Sequence, residues 1–301
     1  MDFDVIIIGG GPGGLSAGVY AGRANLKTLI LEGTGIGGQV NYTTDIDNYP
    51  GFFGTGPELS AKMREQTEKF GVIFSSENVK EIKNPSADVK IVRTRKNEYR
   101  AKAIIIATGA NPRMLGVDGE ERLKGAGVSY CATCDGAFFK DKTVAVTGGG
   151  NTAFEEALYL SKFCQKVYII HRSEKFRASK SLVDRVRENS KILIRTNEQI
   201  EKIQGDMAVK SLVLMHTISK KITVLDTDAV FVAIGRNPEN SLVKDFIELD
   251  EAGYIVTDEN MRTNVVGIYA VGDVRKTPLR QIITAASDGA IAANDIAGII
   301  G

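Results

Sequence analysis

An excess of charge of one sign is missing from this 301-residue chain. Lys plus Arg number 38 against 37 Asp plus Glu, so there is no overall basic footprint for nucleic acid or a membrane surface. Long hydrophobic runs are missing too. The opening run 5–8 is too short, and lacks a basic lead, to serve as a secretory signal. Nothing approaches the ~18 apolar residues of a spanning helix, and the apolar stretch 290–300 is broken by Asn294 and Asp295. Cysteine is scarce at three, an odd number that excludes the disulfide framework of a small secreted domain. The cytoplasm is the expected compartment. Histidine is scarcer still: His171 and His216 show no ligand spacing, so a Cys pair here would lack two of the four ligands of a zinc site.

Glycine, by contrast, is abundant at 32 residues, above the usual ~7 %, and it comes in tight clusters. The β-branched run 5–8 reads as a buried strand. It enters Gly9-Gly10-Gly11-Pro12-Gly13-Gly14, which contains G-x-G-x-x-G at Gly9, Gly11 and Gly14. A helix is predicted over 15–24 and a second strand over 28–31, ending at Glu32, 21 positions after Gly11. Glycines permit the tight turn and the approach of a pyrophosphate to the helix N-terminus, while an acid about 20 residues on can hold a ribose hydroxyl pair.

The second half repeats this plan. A strand over 144–147 runs into Gly148-Gly149-Gly150-Asn151-Thr152-Ala153, a fingerprint of the G-x-G-x-x-A form, then a helix over 154–163 and a strand over 167–170. Both halves carry a strand pair (89–94 with 99–101; 209–215 with 221–225) and close on related segments: a strand 104–107 into Thr108-Gly109-Ala110-Asn111-Pro112, and a strand 230–233 into Ile234-Gly235-Arg236-Asn237-Pro238. The helix 58–70 and the loop-like segments at Gly37-Gly38-Gln39 and 48–52 belong to the first half. A last strand, 268–271, enters Gly272-Asp273 without a fingerprint of its own, ahead of a helix over 280–293. It is expected to complete the first domain, with the second domain inserted. The fold class is therefore α/β, with two related Rossmann-like dinucleotide-binding domains: 1–114 with 241–301, and 115–240.

The two halves differ where their second strands end. Glu32 suits a free ribose. His171-Arg172, with Lys175 and Arg177 behind, suits a 2′-phosphate, although Ser173 and Glu174 dilute the positive charge; NADPH is preferred and NADH is not excluded. A late A-x-G-D, with Asp273 able to hold a ribityl hydroxyl, suits FAD in the first half, and a helix N-cap is the other reading of Asp273.

Just upstream of the second fingerprint stands Cys131-Ala132-Thr133-Cys134-Asp135. Two thiols at this spacing can form a disulfide and reopen it by two-electron reduction. Asp135 could protonate a departing thiolate if burial raised its pKa; a helix cap is its other reading. Cys164 reads as a buried small hydrophobe.

Taken together, C-A-T-C-D, both fingerprints, H-R-x-x-x-F-R at 171–177, Y-A-V-G-D and Arg280-Gln281 resemble low-molecular-weight thioredoxin reductase over essentially the whole chain. The resemblance implies an FAD domain interrupted by an NADPH domain, and a homodimer. It also implies a flavin site lined by Gly37, Gly38, Gln39 and Asn48, with Arg280 and Gln281 beside the ring. In the same way Cys134 is implied as the flavin-side thiol, Cys131 as the thiol that attacks thioredoxin, and a swivelling of the inserted domain. Ser173 departs from the family's second arginine. Other readings are a reductase of another thiol carrier, a ferredoxin-dependent reductase, and a flavin redox sensor without turnover.

Overall fold

The computed structural model describes residues 2–43 and 46–300, the side chains of Tyr42 and Asp47 excepted. It divides into two compact units, 1–111 with 237–301, and 112–236. The divisions fall three to four residues before the sequence-predicted limits, after Asn111 and Arg236.

In the first unit, β-branched runs build the sheet. Alternate side chains of Asp2–Ile8, Thr28–Leu31 and Glu98–Ile106 sort to opposite faces. Ile6, Ile8, Leu29, Leu31, Ile104 and Ile106 enter one core cluster, and Val5, Ile7, Ile30 and Ile105 enter the other. Strands buried on both faces can be apolar throughout, and each such side chain contributes about 1.5–3 kcal/mol. The parallel strands lie in the order Ile73–Ser75, Thr28–Leu31, Asp2–Ile8, Glu98–Ile106, Ile268–Ala270. The helices Pro12–Arg23 and Ile282–Ile300 cover one face.

Two predicted strands, 99–101 and 104–107, prove to be one. Glu98–Ile106 pairs antiparallel with Lys90–Thr94 along residues 98–101 and parallel with Ile268–Ala270 along 104–106. It changes partner midway, which interrupts its apolar pattern. The segment 48–52 is a hairpin and not a loop: Ile46–Tyr49 pairs with Phe52–Gly54.

The second unit repeats the strand order: Ile192–Thr196, Lys166–His171, Thr143–Thr147, Ala229–Val232, Val128–Ser129, all parallel. Helices Asn151–Leu160 and Lys180–Glu188 cover one face. A three-stranded antiparallel sheet, Glu198–Gln204, Ser211–His216 and Ile222–Asp226, packs on the other. Its fifth strand, Val128–Ser129, precedes the others in the chain, whereas the first unit's fifth strand, Ile268–Ala270, follows them.

Candidate active site

In the first unit the named residues gather at the carboxyl ends of adjacent parallel strands, where open α/β sheets bind ligands. Registers Ile8↔Leu31, Ile8↔Ile106 and Ile106↔Ala270 set the strand ends side by side. The glycine turn, Glu32, Thr108-Gly109 and Gly272-Asp273 follow from them in turn. Gly9 has φ +112°, and a Cβ there would lie 2.2 Å from the Ala107 carbonyl oxygen. Only glycine can make this turn. Gly11, the N-cap of helix Pro12–Arg23, faces open space, Pro12 fills the first helical position, and no acidic side chain occupies the first turn. Such a cradle fits a pyrophosphate.

The Glu32 carboxylate accepts from Gly10 N–H (Oε2, 2.7 Å) and from Thr34 N–H and Oγ1 (Oε1, 2.7 and 2.8 Å). Oε2 therefore keeps a lone pair for a hydroxyl. Gln39 donates from Nε2 to the Ala110 carbonyl, Gly38 lies against Gly11, and Asn48 Nδ2 donates to Gln281 Oε1 at 3.1 Å. Thr108 Oγ1 donates to Glu239 O at 2.6 Å. Asp273 sits in the 3-10 turn Gly272–Val274, ahead of the helix Ile282–Ile300. Arg280 stacks over Tyr254 at 4.1 Å, with its Nε buried and without a hydrogen-bond partner. A flavin edge rich in acceptors fits that orphan donor.

The second glycine turn repeats the geometry. Gly148 has φ +153° and a Cβ would lie 2.4 Å from Ala233 O, while Gly150 is an N-cap in open space ahead of Asn151, Thr152 and Ala153. The loop 172–179 is stitched to this turn: Arg177 N–H donates to Gly149 O (2.7 Å) and Ser179 N–H to Asn151 Oδ1 (2.8 Å). His171 lies over Gly149 with Nε2 3.1 Å from Lys175 O. Burial, and then the Arg172 and Arg177 charges, hold its imidazole below the usual range. Arg172, Lys175 and Arg177 are exposed, and Glu174 is turned to Asn197 Nδ2 (3.0 Å) and not to them. The loop's positive charge is thus available to an anion. Ser173 Oγ is 3.2 Å from His171 Nε2.

Cys131 and Cys134 form a disulfide, Cα to Cα 5.3 Å, bridging the first turn of the short helix Ala132–Asp135. The turn follows strand Val128–Ser129 and so stands on the same sheet edge as the glycine turn, beyond Ala229–Val232. Ser129 Oγ donates to Asp135 Oδ2 at 2.6 Å and accepts from Cys131 N–H at 3.1 Å. Burial pushes the Asp135 carboxyl up, against the Ser129 hydrogen bond that lowers it. That is the environment a general acid needs. Asp135→Asn is expected to slow dithiol formation by roughly 10²-fold or more. Because only the protonated form donates, the wild-type rate should fall as pH rises through the raised pKa, and the variant's should not; stopped-flow rates against pH check this.

Three residues of the neighbourhood escape motif reading. Glu156, on helix Asn151–Leu160, accepts from Ala132 N–H between the cysteines. Tyr130 donates to Glu120 Oε1 (2.9 Å), and Arg236 Nη2 donates to Tyr130 O (3.3 Å). Glu156 could have been noticed, since it falls on the buried stripe of Ala153, Ala157 and Leu160. Cys164 is buried, donates to Phe139 O at 3.2 Å, and stands apart from the pair.

Residues 3–289 match the family model for pyridine nucleotide-disulphide oxidoreductases. A thioredoxin reductase of Peptoclostridium litorale is 46% identical over 299 residues, covering 97% of this chain and 95% of its own. The solved thioredoxin reductase of Streptococcus pyogenes is 45% identical, covers 98% and 97%, and superposes with a TM-score of 0.93. That of Lactococcus lactis, in its FR conformation, is 44% identical over the same shares, with a TM-score of 0.67. Glycine turns, acid, A-x-G-D and Cys pair thus recur in a chain that matches these relatives nearly end to end, and it belongs to the pyridine nucleotide-disulphide oxidoreductase family, among the thioredoxin reductases.

Proposed function

We propose that this chain reduces the disulfide of thioredoxin or a similar small dithiol protein with electrons from NADPH, through FAD and the Cys131–Cys134 pair. The family carries use of a flavin and a pyridine nucleotide. The observation that carries the reading is the disulfide on the sheet edge of one glycine turn, in a chain with a second such turn.

FAD would be held by Gly9, Gly11, Pro12, Gly14, Glu32, Gly38, Gln39, Asn48, Thr108, Gly109, Gly272, Asp273, Arg280 and Gln281. NADPH would be held by Gly148, Gly150, Asn151, Thr152, Ala153, His171, Arg172 and Arg177. When bound, the two supply hydride transfer and an electron pair for the disulfide. The chain's own residues do the rest. Asp135 protonates a sulfur as the S–S bond opens. Cys131 as thiolate then attacks the partner disulfide, releases one partner thiolate and forms a mixed disulfide. Cys134 attacks that bond, which frees the second partner thiolate and restores Cys131–Cys134.

The Cys pair and the second glycine turn share one unit, and the flavin residues belong to the other. We propose that the unit 112–236 swivels at Ala110–Pro112 and Arg236–Pro238 to present them alternately. A cytoplasmic homodimer completes the proposal, to be checked by sedimentation and fractionation.

Anaerobic mixing tests the function. NADPH should bleach the flavin promptly, with turnover only when a disulfide protein is added; bleaching with a ferredoxin donor alone would favour the ferredoxin-dependent reading. The 2′-phosphate contact has its own test. Arg172→Ala with Arg177→Ala removes two charge-assisted contacts, each worth about 1.5–3 kcal/mol. KM for NADPH should rise roughly 100-fold or more while KM for NADH stays put. Equal losses with both nucleotides would show that the arginines do not read the phosphate.

A further inference from the structure

The Glu156 carboxyl has no part in the chemistry above, yet it lies directly behind the redox turn. One of its oxygens accepts from Ala132 N–H, and Oε2 is fully buried with no hydrogen-bond partner. A buried carboxylate oxygen without a donor is costly when charged and far less so when it carries a proton. The charges that reach this group are Arg236, which also donates to the carbonyl before Cys131, and Glu155 on its own helix. Asp135, at the far end of the redox turn, is engaged with Ser129. Among the described residues, no charge from helix Lys180–Glu188 or from strands Thr143–Thr147 and Lys166–His171 contributes.

We propose that Glu156 is a positioning residue for the redox pair, which anchors the turn through Ala132 N–H and takes up a proton when the Cys131–Cys134 disulfide is reduced. The step balances. The disulfide accepts two electrons from a dithiol or dihydronicotinamide reductant and the S–S bond breaks. One proton goes to a sulfur, the other sulfur remains a thiolate, and the second proton goes to the Glu156 carboxylate. Burial already pushes this carboxyl up to about 7, and a new thiolate beside it raises its affinity for a proton further. The sign follows. At pH 6 the carboxyl is neutral before and after reduction. At pH 8 it is ionised in the oxidised protein, so reduction must either protonate it or set two negative charges together.

This inference rests on the proposed role of the Cys pair, and the test separates the two. Flavin-loaded wild type and Glu156→Gln are equilibrated with dithiothreitol redox buffers from pH 6 to 8.5, and the free thiols are trapped by alkylation and weighed. The glutamine keeps an acceptor for Ala132 N–H and cannot titrate. The two proteins should agree at pH 6, and the variant should be reduced about fivefold more readily at pH 8, rising toward tenfold at higher pH, for a coupling of one pKa unit. Parallel curves would overturn the role of Glu156 alone, whereas a pair that neither dithiothreitol nor NADPH reduces would overturn both readings. Should the variant fail to fold, the reduced-minus-oxidised infrared spectrum of wild type and of Asp135→Asn at pH 8 decides. A protonated-carboxyl C=O band gained on reduction in both supports the proposal, and its absence, or its loss in Asp135→Asn, overturns it.

Discussion

Cys134→Ser is expected to abolish turnover with a protein disulfide, a loss of roughly 10⁴-fold or more, while NADPH still bleaches the flavin. A serine oxygen can neither accept the electron pair as part of an S–S bond nor attack one. Holding of the nucleotides should survive, because both glycine turns and the residues around them lie outside the 131–135 turn. The variant also separates the roles of the two thiols. With Cys131 intact and its resolving partner gone, attack on the substrate should stop at a mixed disulfide, visible as a one-to-one adduct on a non-reducing gel. Cys131→Ser should lose turnover equally and trap nothing. The opposite pattern, an adduct from Cys131→Ser alone, would exchange the two assignments, and appreciable turnover by either variant would remove the pair from the mechanism.

Fixing the unit 112–236 against the other unit is expected to stop turnover as completely. A lock leaves at most one of two half-reactions: flavin bleaching by NADPH, or reoxidation of reduced flavin by the Cys pair. Rapid mixing of a photocleavably cross-linked enzyme should therefore show one of these phases at full amplitude and the other missing, with both regained on illumination. The proposed swivel needs only a few backbone dihedrals in the crossovers to change. Full thioredoxin reduction by the locked protein would end the swivel idea.

Much of this was legible in the residues because turns that hug a phosphate have few solutions. At Gly9 and Gly148 the chain leaves its strand through a position where a Cβ would meet backbone, and glycine clusters of this kind stand out in the sequence. Thr28–Leu31 was legible because parallel strands buried on both faces are apolar without interruption. The edges were not. Val79–Lys83 buries only Ile82 fully, and Glu198–Gln204 mixes acids and amides with two buried isoleucines. Their pairing depends on neighbours distant in the chain, which local pattern cannot supply. In the site, the cations of the 171–177 loop were visible, but whether Glu174 cancels them depended on Asn197. Glu156 stayed hidden because its meaning comes from Ala132, 24 positions away and on another element.

The unequal place of the fifth strand carries a consequence for synthesis. The unit 112–236 is continuous, with its fifth strand, Val128–Ser129, already made when the rest of its sheet appears. It can finish folding while the ribosome is still at work, at the usual 5–20 residues per second. The other unit waits for Ile268–Ala270 and then for Ile282–Ile300 to cover its open face. Gly272, Asp273 and Arg280 also arrive at that late stage. The half that carries the disulfide is thus completed first, and the residues proposed to hold the flavin are complete only after it.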